Sequence, residues 1–89
     1  MTLILDGWLD TSVSQQTERE VEPLFGYENC EIVIDCSRLE YISSSGLRLL
    51  MMINQRCSAH RCNIFIKGMQ EKVYDVFRTT GFVHLFRFK

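Results

Sequence analysis

Three consecutive serines, Ser43, Ser44 and Ser45, stand directly before Gly46 and the apolar run Leu47-Arg48-Leu49-Leu50-Met51-Met52-Ile53. Upstream, Ile32-Val33-Ile34 reads as an uninterrupted apolar strand that runs into Asp35 and a short polar loop. Residues 31–52 thus place hydroxyls at a helix N-terminus, beyond the carboxyl end of a buried strand. The first backbone N–H groups of a helix lack intrahelical partners, and the helix dipole is positive there. A phosphate is favoured at such a place. One reading of the serines is capping and turn chemistry alone. The other takes Ser43 as the N-cap and Ser44 as the first helical residue. A phosphate on Ser44 would add roughly −1.5 to −2 of charge where the dipole welcomes it, and Arg48, one turn on, would stabilise it further.

At about 100° per residue, the apolar vector of this helix points towards Leu50, Ile53 and Cys57. The opposite stripe carries Ser44, Arg48 and Gln55, flanked by Met51 and Met52. Two readings fit: a helix buried on several sides, or a docking stripe whose methionines adapt to a partner.

Other reactive residue types are sparse. The four cysteines, Cys30, Cys36, Cys57 and Cys62, form no CxxC pair and read as buried free thiols suited to a reducing cytoplasm. Cys57, His60 and Cys62 lack the paired spacing and the fourth ligand that zinc favours, so no metal or cofactor is expected. His60 and His84 read as ordinary partly exposed residues. No GxSxG, GxGxxG or HExxH occurs. No base is assigned to Ser44, no catalytic residue is named, and the chain is not read as an enzyme.

The elements must position this segment. With 89 residues, 46% of them hydrophobic and 24% charged, the chain reads as one domain over 1–89 with a modest core. No apolar run approaches the roughly 20 residues of a membrane span. No basic stretch with an apolar run behind it opens the chain, so secretion is not expected. Residues 1–45 hold nine acids and two bases; residues 46–89 hold two acids and eight bases. No dense Lys/Arg run is present, which argues against direct nucleic-acid binding.

Leu3-Leu5 reads as a strand. Asp10, Thr11 and Ser12 offer helix caps, with Ser12 and Gln15 spaced as a capping box. Val13, Thr17, Val21, Leu24 and Phe25 form one helical stripe, which Pro23 should shorten. A second strand spans 31–36, a helix 44–59 and a third strand 63–67. Met69, Val73, Val76, Phe77 and Thr80 mark a third helix, closed by Gly81. A last strand is expected over 83–88. Strands alternating with helices imply an α/β fold with a mostly parallel sheet.

Residues 32–52, IVIDCSRLEYISSSGLRLLMM, resemble the signature of STAS domains, the family of bacterial anti-sigma factor antagonists. Asp35, Ser43-Ser44-Ser45-Gly46-Leu47 and Arg48 match its strand, loop and helix-opening segment. Gly7, Leu9 and Asp10 resemble the family's G-x-L-D turn, and residues 68–88 its later helix, TG break and final strand. The resemblance covers nearly the whole chain. It implies a mixed, mostly parallel four-stranded sheet with helices packed on one side. It also implies a non-enzymatic cytoplasmic switch in bacterial transcription regulation. By position the phosphoacceptor is Ser44, with Ser45 as fallback, and Ser43 stands where many members have Asp. The implied partner is an anti-sigma factor with serine-kinase activity, bound by the unphosphorylated chain through Asp10, Thr11, Ser43, Ser44, Ser45, Gly46, Arg48, Met51, Met52 and Gln55. The alternative is a STAS-like accessory subunit of a lipid ABC transporter that binds constitutively. Many members carry a further strand before this start and a further helix after this end, so uncovered sheet edges would favour a homodimer.

Overall fold

A computed structural model describes the backbone of residues 1–89 and every side chain except those of residues 11, 12, 14 and 15. The capping box of Ser12 and Gln15 therefore lies outside the described residues. Four strands alternate with three helices: β1 (Thr2–Leu9), α1 (Thr11–Val21), β2 (Glu31–Ile42), α2 (Ser44–Ala59), β3 (Asn63–Lys67), α3 (Glu71–Thr80) and β4 (Arg87–Phe88). The strands lie side by side in the order β1-β2-β3-β4, and all three pairings are parallel. Right-handed crossovers between successive neighbours put the helices on the same face.

Burial follows that layering. Leu5, Leu9, Ile32, Ile34, Cys36, Leu39, Ile42, Ile64 and Ile66 face the helices and are buried. α2 adds Leu47, Leu49, Leu50, Ile53 and Cys57, and α3 adds Val73 and Phe77. Phe77 is wholly enclosed and meets Phe86 and Phe88 edge-on, with ring centroids 5.6 and 6.4 Å apart. The other sheet face is open. Ile4 and Trp8 stand on it, 57% and 61% exposed, and Trp8 stacks against Tyr41 at 4.7 Å. β2 is thus interior to the sheet but covered by helices on one face only.

α2 and β3 have the bounds expected from sequence, and α1 is shortened at Pro23 as expected; β1, β2, the start of α3 (Glu71, beyond Met69) and the last strand differ. β1 is longer than Leu3–Leu5 and runs through Gly7 to Leu9. β2 does not stop at Cys36. Its pairing with β1 jumps from Ile4↔Asp35 to Asp6↔Arg38, and again from Gly7↔Leu39 to Trp8↔Tyr41. Each jump inserts one extra residue in β2, a bulge that stretches the core spacing from two residues to three: Cys36, Leu39, Ile42. The bulge frees the backbone of Ser37, and side chains take it up. Asp35 Oδ1 accepts from Ser37 N at 2.9 Å, and Gln70 Nε2 donates to Ser37 O at 3.1 Å. α1 ends at Val21 and continues as a 3₁₀ turn, Glu22–Gly26, because Pro23 has no N–H to give. Residues 83–88 are not one strand. Gly81 caps α3 at φ 80°, Phe82–Leu85 form a 3₁₀ turn, and the strand is two residues long.

Candidate functional site

The carboxyl ends of β1 and β2 meet at Leu9 and Ile42, which are register partners. Asp10 and Ser43 come next in each strand, so the two loops are neighbours. Each opens a helix. Asp10 Oδ1 accepts from Val13 N at 3.3 Å and caps α1. Ser43 has extended backbone, φ −93° and ψ 175°, and its Oγ accepts from Gly46 N at 3.2 Å. The same hydroxyl donates to Leu9 O at 3.2 Å, and Ser43 N donates to Leu9 O at 3.0 Å. Ser43 is therefore the N-cap of α2 and the clasp that ties it to β1.

Ser44 is the first residue of α2 and is exposed. Ser45 is half-buried. The first turn of α2 has no acidic residue of its own to offset the positive end of the dipole. Arg48 is exposed, one turn from Ser44, with no ion-pair partner among the described residues. Gln55 is exposed and Met51 and Met52 are half-buried. Ser44, Arg48, Met51 and Gln55 make one outward stripe. Met52 sits at its margin and also packs against the core. The flanks of α2 are held by neighbours: Arg56 lies over the Phe25 ring at 5.0 Å, and Asn54 Nδ2 donates to Leu85 O at 3.2 Å.

Gly46 is buried. A Cβ there would come within 2.6 Å of Leu9 O and 2.7 Å of Ile42 Cγ1. Its place in the site is to let the start of α2 lie flat against the ends of β1 and β2. The side chain of Thr11 lies outside the described residues. The structure thus brings together Asp10, Ser43, Ser44, Ser45 and Arg48, with Met51 and Gln55 further along the same helix.

Two features escaped the sequence. The Leu9 carbonyl, acceptor of both Ser43 bonds, belongs to an apolar residue distant in the chain. Asp35 stands in the middle of β2 and binds the bulge, not the helix start. The Ser37 amide bonded to it, with help from the Ser37 side chain, holds the Asp35 carboxyl below its ordinary range. The only signal for that role is the polar residue two positions before the break in alternation.

A two-layer parallel sheet with a capped, outward-facing helix start after β2 defines a known class. The STAS domain model matches residues 1–89, and the chain belongs to that family. BtrV of Bordetella bronchiseptica, described as a candidate anti-sigma factor antagonist, is 27% identical over 82 residues, which are 92% of this chain and 71% of that protein. The fold is shared with tm1081 of Thermotoga maritima, described in the same way (TM-score 0.83, 22% identity, 98% of this chain and 77% of that one). It is also shared with the anti-sigma factor antagonist SpoIIAA in its unphosphorylated form (TM-score 0.69, 20% identity, 86% and 71%). A sulfate transporter family protein of Wolinella succinogenes has the fold too (TM-score 0.79, 13% identity, 94% and 68%). No helix among the described residues is long and apolar enough to cross a membrane.

Proposed function

We propose that this chain is an anti-sigma factor antagonist, switched by phosphorylation of Ser44. The unmodified α2 stripe binds an anti-sigma factor with serine-kinase activity, and transfer of a phosphoryl group to the Ser44 hydroxyl releases it. The observation that carries the reading is the position of Ser44: exposed, first in the helix, directly after an N-cap that fixes its backbone. Its hydroxyl is not part of the capping, so it can be modified without unfolding the helix. Arg48 stands on the same stripe, ready to meet the added charge.

Release follows from desolvation. A dianion pressed into a protein interface with only Arg48 beside it keeps uncompensated charge, which is unfavourable by several kcal/mol, on the order of the penalty for burying an unpaired ion. The partner therefore dissociates, while Arg48 and the helix dipole keep the free phosphorylated chain folded.

The test incubates the chain with its cognate kinase and ATP and maps the product by mass spectrometry. One phosphate on Ser44 is expected, and none on Ser44→Ala. Phosphate on neither Ser44 nor Ser45 would reject the mechanism. The transporter-subunit reading keeps one point in its favour, Ser43 in place of the family's usual Asp. It expects Ser44→Asp to bind the natural partner as tightly as the wild type does. The switch reading expects the affinity to fall at least about tenfold, the effect of roughly 1.4 kcal/mol.

A further inference from the structure

At the opposite end of the sheet from Ser44, two cysteines meet. Cys30 directly precedes β2, and Cys62 directly precedes β3. The strands pair in register as Glu31↔Asn63 and Ile32↔Ile64. One step back sets Cys30 opposite Cys62. Side chains alternate along a strand, so both cysteines share the helix-facing side with buried Ile32 and Ile64. Their Sγ atoms are 3.0 Å apart.

We infer that Cys30 and Cys62 are a dithiol modification site that a peroxide closes to a disulfide. Neighbouring strands lie about 4.8 Å apart, inside the roughly 4.4–6.8 Å between Cα atoms that a disulfide spans. The backbone is already held in place. Asn63 N donates to Cys30 O at 2.9 Å, Asn29 N to His60 O at 3.1 Å, and Cys62 N to Cys57 O at 2.9 Å.

Access to the pair is through Cys30, which is half-buried. Cys62 is buried, 3% exposed, at the edge of an open cavity of about 410 Å³ lined also by Asn54, Ser58, Arg61 and Arg87. Cys36 and Cys57 are buried, 0% and 1% exposed. Burial pushes the Cys36 thiol up to about 12, so it stays protonated and inert. The contact with Cys62 also raises the Cys30 thiol, which makes its first step slow.

The chemistry balances with hydrogen peroxide as oxidant. The Cys30 thiolate attacks one peroxide oxygen; the S–O bond forms, the O–O bond breaks, and hydroxide leaves, taking the thiol proton as water. The Cys62 sulfur then attacks the Cys30 sulfur. The S–S bond forms, the S–O bond breaks, and a second water leaves with the Cys62 proton. Two thiols lose two electrons and one peroxide gains them. A dithiol reductant reverses the bond by exchange.

The test uses the full chain. It is exposed to limiting peroxide, blocked with N-ethylmaleimide, and mapped without reduction. The expected product is an intramolecular Cys30–Cys62 link, with the chain about 2 Da lighter and restored by dithiothreitol. The Cys36→Ser/Cys57→Ser double variant should form the same link, and Cys30→Ser should form none. The link closes a long loop, so the oxidised chain should unfold at higher urea than the reduced chain. Both thiols still open to alkylation, a link through Cys57, or a cross-link between chains would overturn the inference. So would a lower urea midpoint after oxidation, which would mean a strained bond.

Discussion

The hydroxyl of Ser43 does two things at once. It accepts from Gly46 N and donates to Leu9 O. Ser43→Ala removes both bonds and should cost about 1–2 kcal/mol, the upper range for an N-cap. Ser43→Asp separates the two roles. A carboxylate caps as well as a hydroxyl, but it cannot donate, and it would face the Leu9 carbonyl. Urea unfolding should therefore place Ser43→Asp below the wild type and no lower than Ser43→Ala. A more stable Ser43→Asp would mean that the Leu9 bond contributes nothing. Asp35 gives a pH test. Its folded-state pKa is lowered, so its contribution is complete above the ordinary carboxylate range and is lost as pH falls from there through the lowered folded-state value. As pH falls below about 5, the wild type should lose stability more steeply than Asp35→Asn does. Parallel curves for the two chains would remove Asp35 from the bulge's account.

Two glycines show different constraints at the scale of elements. Gly81 ends α3 at φ 80° with open space around it, so only its backbone conformation demands glycine. Gly81→Ala should cost about 1 kcal/mol. Gly46 has ordinary helical backbone but no room, since its neighbours are the backbone of β1 and the side chain of Ile42. Gly46→Ala must push α2 off the sheet, which should cost about 1–3 kcal/mol and lower partner affinity as well. Equal stabilities and equal affinities for the two variants would sink the distinction. The same elements show what sequence patterns carry. α2 and β3 were legible because caps and unbroken apolar runs bound them. The second half of β2 was not, because its bulges turn a two-residue alternation into steps of three that read as loop. The last strand was overread, because Phe82, Val83 and Leu85 are strand-like residues that a 3₁₀ turn places after Gly81. Within the site, the serine cap and the outward stripe follow from local spacing. The Leu9–Ser43 clasp and the Cys30–Cys62 contact depend on strand register, which no local pattern encodes.

Strand order governs the molecule as a whole. Because the sheet runs β1-β2-β3-β4, the acidic residues 1–45 supply one side of it and the basic residues 46–89 most of the other. Folding brings the two signs together in places: Arg56 lines one hollow with Glu18 and Glu22. Among the described residues two ion pairs cross the seam, Lys72 with Glu40 at 3.9 Å and Lys89 with Glu31 at 2.7 Å. All four side chains are about half exposed, so each pair contributes at most about 1 kcal/mol. The halves are joined instead by the core between sheet and helices, in which Phe77 is wholly enclosed. Phe77→Ala should cost about 3–5 kcal/mol, a large share of the roughly 5–15 kcal/mol typical of a whole domain. Trp8→Ala removes a larger ring, yet that ring lies on the open face against Tyr41, so its cost should stay below about 1.5 kcal/mol. Glu31→Gln with Glu40→Gln should cost less than about 2 kcal/mol together, and less again in high salt. Urea unfolding of the three variants should rank Phe77→Ala far below the others. If the double charge variant fell as far as Phe77→Ala, electrostatics across the seam would be holding the halves together. If Trp8→Ala fell as far, the open face would be packed in solution.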